Sequence, residues 1–208
     1  MPQVTLTEFV KAAQTGDRVL SFPTDTVPAL AVRPDRAELI FAAKQRSQTK
    51  PLILMAAEAT DLWQYVTGSD AERQIWQSVM QQHWPGALTL VLPASDRLPP
   101  QVNPMNPTSI GIRVPNSAIA RHILSQTGPL ATTSANQSGQ PPLQTQIEIE
   151  THFPEVFTLL PSALEALASV GIHDGCDPSL PTGNGTPSTV AQWTAQGWII
   201  LRQGSIKL

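Results

Sequence analysis

Leu88-Thr89-Leu90-Val91-Leu92 is followed, after a stretch rich in Pro and Asn over residues 93–107, by Ser109-Ile110-Gly111-Ile112-Arg113-Val114. Both segments have strand length and strand composition, and turn formers bound each of them. No helix long enough for a crossover lies between them, although a purely parallel sheet would need one. Working outward, helices and strands alternate on both sides of this pair. The chain therefore reads as α/β: a mixed, twisted sheet, parallel in part, with helices packed on it.

Toward the N-terminus, Thr5-Leu6-Thr7-Glu8 reads as a capping box, and Gly16 stops the helix that carries Phe9, Val10 and Ala13. A short apolar strand over 18–22 is broken by the polar turn Pro23-Thr24-Asp25-Thr26, which leads into an irregular segment. Asp35 is expected to cap a helix running through Leu39, Ile40 and Ala43 to Arg46. The apolar run 51–57 reads as a strand buried on both faces. Helical patterns follow at 60–66 and 70–84, the second ended by Pro85-Gly86. Toward the C-terminus, Asn116 or Ser117 caps a helix that Gly128 closes, and a strand follows at 130–132. The tail adds a weakly amphipathic helix, a second at 162–170, and strands at 188–193 and 198–202. There is no internal repeat and no linker, so one domain over 1–208 is expected.

Composition bounds the chemistry. Charged residues make up 14% of the 208, against an average of about 25%, so Gln, Ser, Thr and Asn carry the surface. A net charge of −3, from 16 acidic and 13 basic residues, gives no general reason for binding nucleic acid. The single cysteine, Cys176, excludes an intramolecular disulfide and reads as a buried or loop thiol. No stretch is apolar enough to span a membrane, and the N-terminus lacks the pattern of a secretory signal, so a cytoplasmic setting is expected.

Several familiar sites are missing from the sequence. There is no G-x-x-x-x-G-K-[ST] loop, no G-x-G-x-x-G after the first strand and no G-x-S-x-G elbow. His83, His122, His152 and His173 are dispersed, with no pair at i, i+4, so no metal site built from protein side chains is expected. What remains is polar equipment on loops at strand ends, where ligands of α/β sheets usually sit. Lys44-Gln45-Arg46 supplies a point charge and a planar fork of donors. Ser134-Ala135-Asn136 supplies a hydroxyl and an amide. Taken alone, Lys44 and Arg46 read as a solvated pair at a helix C-terminus. The turn at Thr24 reads alone as an Asx or Ser/Thr turn or as a hydroxyl-lined cradle for a small polar substrate, and the run 183–189 as a mobile loop or a backbone nest around an anion.

Taken in order, these fragments resemble one family along nearly the whole chain. The fragments are Phe22-Pro23-Thr24-Asp25-Thr26-Val27, Lys44-Gln45-Arg46 with Lys50-Pro51-Leu52, and His83-Trp84-Pro85-Gly86 with Leu88-Thr89-Leu90-Val91. They continue with Gly111-Ile112-Arg113-Val114-Pro115, Thr133-Ser134-Ala135-Asn136-Gln137-Ser138-Gly139, Pro187-Ser188-Thr189-Val190 and Arg202-Gln203-Gly204. The family is YrdC/Sua5, the L-threonylcarbamoyladenylate synthases, here in the short form.

The resemblance implies a YrdC-like fold and a nucleotidyltransferase that makes threonylcarbamoyl-AMP and pyrophosphate from L-threonine, bicarbonate or CO2, and ATP. The product would pass to a tRNA threonylcarbamoyl transferase complex that modifies adenosine 37. By motif position it implies Lys44, Arg46, Ser134 and Asn136 as the catalytic tetrad. It further implies Lys50, Ser109, Thr132 and Arg202 on ATP, and Thr24, Arg113 and Ser188 on threonine. Mg2+ would arrive with ATP, held by phosphates and water.

The chain departs from the family pattern at Val27-Pro28-Ala29-Leu30, where Val-Tyr-Gly-Leu is usual, and this leaves the amino-acid specificity open. Ser47 replaces the usual Pro, and Ala191-Gln192 ends the Ser-Thr-Val run differently. Two other readings stay open at this point. One is an enzyme that makes carbamoyl-AMP from carbamoyl phosphate. The other is a non-catalytic module for tRNA or double-stranded RNA, whose mark would be a salt-dependent affinity for tRNA without ATP.

Overall fold

The computed structural model describes residues 2–45, 47–175 and 177–208, so Arg46 and Cys176 lie outside the described residues. The two quoted segments form β5 (Leu88–Pro93) and β6 (Ser109–Arg113), and they pair directly as antiparallel neighbours. Around them lie β2 (Leu20–Phe22), β3 (Ala29–Val32), β4 (Ile53–Met55), β7 (Leu130–Ser134), β9 (Thr189–Thr194) and β10 (Gly197–Arg202). The described strands make one eight-stranded sheet of order β10-β9-β5-β6-β4-β7-β3-β2. Only β4 with β6 and β5 with β9 run parallel. The sheet is mixed and mostly antiparallel. A two-residue parallel pair, β1 (Gln3–Val4) with β8 (Thr158–Leu159), adjoins the β2 edge, where Phe157 exchanges backbone hydrogen bonds with Val19 and Ser21.

The helices are α1 (Leu6–Thr15), α2 (Glu38–Ala43), α3 (Asp70–His83), α4 (Ala118–Thr127), α5 (Gln146–His152) and α6 (Pro161–Ser169). Thr5 and Glu8 form the expected capping box on α1, and Gly16 ends it at φ 70°. Of the two candidate caps for α4, Ser117 takes the role, accepting from the Ala120 amide.

Strand residues alternate between the two faces of the sheet, and here the alternation explains the whole architecture. Leu30, Val32, Leu54, Leu88, Leu90, Leu92, Ile110, Ile112, Ala131 and Ala191 point to one face. There they pack with Ile40 and Phe41 of α2 and with Trp76 and Met80 of α3. Leu20, Phe22, Ala29, Ala31, Met55 and Leu130 point to the other face, under Phe9 of α1, Ile119 and Ile123 of α4, and Leu164 of α6. Each such large side chain contributes about 1.5–3 kcal/mol through burial. Helices cover this second face only over the β2, β3, β7 and β4 side. Where β6, β5 and β9 continue the face, the sheet is left open, and the floor of a cleft results.

Three local expectations are corrected. Asp35 does not cap a helix; its carboxylate pairs with Arg33 at 2.6 Å. Pro34 instead opens a single 3-10 turn, Pro34–Arg36, and α2 begins at Glu38. Residues 60–66 hold two short 3-10 turns, Ala59–Asp61 and Trp63–Tyr65, instead of a helix. The segment after the Thr24 turn is a strand, β3, although it read as irregular. Its four residues are all buried, so the polar–apolar alternation that signals a strand is absent.

Candidate active site

At one end of the sheet α2 terminates, and the residue that caps it, Lys44, turns its side chain inward. Lys44 is 1% exposed, so the solvated helix end expected from spacing alone is corrected for this residue. Its Nζ donates to the Ser134 carbonyl and, at 3.2 Å, to Asn136 Oδ1. Ser134 Oγ donates to the same amide oxygen at 2.5 Å. The Asn136 amide nitrogen donates to the carbonyls of Gln137 at 2.8 Å and Gln140 at 2.7 Å, which fixes its orientation. Directly after Lys44, Gln45 sits at φ 47°. That left-handed conformation is unfavourable for a residue with a Cβ and marks a turn held by its surroundings. Lys44, Ser134 and Asn136 thus form one connected unit, joining the two clusters that lie 90 and more residues apart in sequence. Arg46, the fourth member of the expected tetrad, lies outside the described residues.

The cleft beside this unit encloses about 450 Å³ and is lined mainly by alternate residues of β4, β5, β6, β7 and β9, together with Ala29 of β3 and Leu201 and Arg202 of β10, a size suited to a nucleotide-scale ligand. Thr89, Val91, Gly111, Thr132 and Val190 form its floor. Gly111 is required here because a Cβ on it would come within 2.7 Å of Ile53 Cγ2. Strand register places Ser109 and Ser134 at the Lys44 end, and Arg113, Thr89 and Ser188 at the opposite end.

The opposite end is cationic. Arg113 is 2% exposed and spends its fork on three acceptors. Nη2 pairs with Asp25 at 2.6 Å, Nη1 donates to Thr26 Oγ1 at 2.9 Å, and Nε donates to the Gly86 carbonyl at 3.0 Å. Two of its five N–H groups remain for a ligand. Arg202 donates to the Ser188 carbonyl at 3.0 Å and to its hydroxyl at 3.2 Å, and that hydroxyl lies 2.8 Å from Thr89 Oγ1. Burial pulls the Arg113 guanidinium below its ordinary value, the charge and hydrogen bond of Asp25 oppose this, and Arg202 adds to the lowering. Burial lowers Arg202 as well. Both stay protonated, because an arginine titrates far above neutrality. Two guanidiniums facing one carboxylate leave this end with a net attraction for an anion.

Of the residues singled out by sequence, Ser109, Arg113, Thr132, Ser134, Ser188 and Arg202 line the cleft, and Lys44 and Asn136 support it through Ser134. Arg202, expected on ATP, lies on Ser188 at the end expected to hold threonine. Thr24 does not line the cleft. Its hydroxyl donates to the Val27 carbonyl at 2.7 Å and accepts from the Thr26 amide at 3.2 Å, so it builds the turn, and Thr26 faces the cleft instead. Lys50 is exposed and lies 3.5 Å from Ser138 Oγ, while Thr49 and Pro51 on either side of it line the cleft. Sequence reading missed Asp25, Thr26, Thr89, Asn103 and Gln192. For Thr89 and Gln192 the signal was present, since each is the polar member of an alternating strand. Among the described residues no group of three His, Cys, Asp or Glu side chains could hold a metal ion. No helix of the described residues is long and apolar enough to cross a membrane.

Known proteins share this fold. The family model for Sua5, YciO and YrdC, described as telomere recombination, matches residues 12–204. A threonylcarbamoyl-AMP synthase of Bacillus subtilis is 35% identical over 195 residues, covering 91% of this chain and 51% of that protein. One of Vibrio campbellii is 37% identical over 150 residues, covering 69% of this chain and 78% of that protein. The structure of P. abyssi Sua5 complexed with L-threonine superposes with a TM-score of 0.78 at 25% identity, over 97% of this chain and 54% of that one. E. coli YciO shares the fold, with a TM-score of 0.74 at 20% identity, over 97% of this chain and 90% of that one. The chain thus spans about half the length of the Bacillus subtilis and P. abyssi proteins.

Proposed function

The chain belongs to the Sua5/YciO/YrdC family, and from that footing we propose that it condenses L-threonine, bicarbonate or CO2, and ATP into threonylcarbamoyl-AMP and pyrophosphate. The observation that carries the reading is one cleft with a buried lysine behind Ser134 at one end, paired arginines at the other and an uncharged floor between them. Two anionic substrates lying head to head along such a cleft meet in its middle. Holding them there converts a collision into a positioned reaction.

The threonine amine and CO2 form a carbamate, so the nucleophile is supplied by substrate and no activated Ser or Cys is needed. An oxygen of that carbamate attacks the α-phosphorus of ATP. The bond from the α-phosphorus to the bridging oxygen breaks, and pyrophosphate leaves with the electron pair. Negative charge grows on the phosphate oxygens as this happens. A fixed cation at Lys44, and Arg46 on the strength of its sequence position, would stabilise that charge. Ser109, Thr132, Ser134 and Lys50 are assigned to the nucleotide, with Asn136 holding Ser134 and Lys44 in place. Arg113 and Ser188 are assigned to the threonine carboxylate or carbamate, with Arg202 reaching them from β10. Thr24 is assigned to shaping their turn.

Mg2+ is expected to travel with ATP, held by phosphate oxygens and water, since among the described residues the cleft lining offers hydroxyls, amides and arginines, and the nearby Asp25 carboxylate is paired with Arg113. On this reading the chain is a cytoplasmic nucleotidyltransferase acting as one domain. It would hand a labile adenylate to a tRNA threonylcarbamoyl transferase complex, with weak direct contact to tRNA.

The test is pyrophosphate release by purified protein with ATP, Mg2+, bicarbonate and each amino acid in turn. Release is expected with threonine and to fall sharply without it. Release independent of any amino acid would sink the proposal, and release driven by carbamoyl phosphate alone would replace it with carbamoyl-AMP synthesis. The Pro28-Ala29 stretch lines the cleft next to Thr26 and Val27, so the same panel reads out its effect on specificity.

A further inference from the structure

One cleft residue has a hydrogen-bonding group that the protein leaves unused. Asn103, on the loop between β5 and β6, is 4% exposed and lines the cleft. Its Nδ2 donates to the Ser109 carbonyl at 3.0 Å. A carbonyl only accepts, so the amide nitrogen must face Ser109 and the amide oxygen must point the other way. Among the described residues Asn103 Oδ1 receives no hydrogen bond, and it is not among the atoms sealed from solvent. The position is rigid as well: Val102 beside it is fully buried and accepts from the Leu52 amide at 3.0 Å. An oriented acceptor that the protein leaves unused on a rigid wall, still reachable from the cleft, is a recognition element for a ligand that carries a donor.

Two further features define what it faces. Met105, two residues on in the same loop, lines the cleft while 65% exposed. A thioether side chain is soft and polarizable and suits the face of an aromatic ring. Register places Ser109, and with it Asn103, two strands across from Ser134, about 10 Å away at ordinary strand spacing. A ribose spans the gap between a base at Asn103 and phosphates at Ser134 and Lys44.

We propose that Asn103 Oδ1 accepts a hydrogen bond from the exocyclic amine of an adenine base that lies against Met105, and that this contact selects adenine over purines carrying an oxo group at C6. The inference rests on the ATP-dependent reading above and adds the residue that chooses the base. Adenine offers an N–H donor at that position, whereas hypoxanthine and guanine offer an acceptor. An oxo group would set two acceptors against each other, and a site built around a hydrogen bond rejects the partner that lacks it.

The experiment measures equilibrium binding of ATP, ITP and purine riboside triphosphate to the wild-type chain and to Asn103→Ala. Purine riboside lacks only the amine. Wild type is expected to bind ATP about tenfold or more tightly than either analogue, and Asn103→Ala to bind all three equally. Deleting the amine from the ligand leaves the protein intact, so that arm stands even if the variant folds poorly. Equal binding of ATP and purine riboside triphosphate by wild type overturns the inference, as does a preserved preference in a folded Asn103→Ala. If wild type binds ATP but shows no base preference, only the role of Asn103 falls. If it binds no nucleotide, the ATP-dependent reading falls with it.

Discussion

Lys44→Met is expected to lower threonine-dependent pyrophosphate release by about 100-fold or more, the usual effect of deleting a group that stabilises developing charge. The same change is expected to leave the thermal midpoint nearly unmoved. An ammonium that is 1% exposed gives up its hydration, and replacing a buried ion with an apolar chain of similar shape is often neutral or stabilising. Asn136 Oδ1 keeps the Ser134 hydroxyl as a donor, so the pocket has no reason to collapse. A residue whose charge contributes little to stability and much to turnover is held for its chemistry. Turnover within a few-fold of wild type, measured by pyrophosphate release and accompanied by an unchanged melting curve, would remove Lys44 from the mechanism.

Arg113→Met is expected to do the reverse on stability and to damage substrate binding as well. The guanidinium is nearly fully buried, and its partner carboxylate on Asp25 is also mostly buried. Removing one partner of such a pair typically costs about 3–5 kcal/mol, because the other charge is left uncompensated. For a chain of this size that corresponds to a fall in Tm of roughly 10 °C. Arg113→Lys keeps the charge, yet a single ammonium cannot span the Gly86 carbonyl, Thr26 Oγ1 and Asp25 Oδ1 together. It is expected to fall between the two in Tm and to raise the KM for threonine. Adding Asp25→Asn to Arg113→Met is expected to recover part of the lost stability, since it removes the stranded charge. A melting curve for Arg113→Met that matches wild type would show that the pair does not hold the turn at residues 23–28.

The sequence showed most of the sheet because its strands carry polar residues on the cleft face. Ser109-Ile110-Gly111-Ile112-Arg113 alternates because Ile110 and Ile112 enter the core while Ser109, Gly111 and Arg113 face the cleft. The same alternation therefore announced both a strand and a site. β3 escaped detection for the opposite reason: Ala29, Leu30, Ala31 and Val32 enter two cores, and no residue breaks the pattern. Lys44 looked like a helix end in water because spacing alone cannot tell that the chain turns at Gln45 and folds the side chain inward. Thr24 and Thr26 are alike in sequence, and only the turn's own hydrogen bonds decide which one faces the cleft. Asn103 left no mark at all, since its value lies in an orientation set by Ser109, six residues away.

The central claim is that one cleft seats ATP and threonine end to end, with phosphates at Lys44 and the amino acid at Arg113. A crystal structure of the chain with L-threonine and a non-hydrolysable ATP analogue tests it most directly. The triphosphate is expected against Ser134 and Lys44, the base on the Ser109 side of the cleft, and the threonine carboxylate on Arg113 and Ser188, with its amine turned toward the α-phosphate. A nucleotide or threonine bound outside the cleft, or seated with its ends exchanged, would contradict the account.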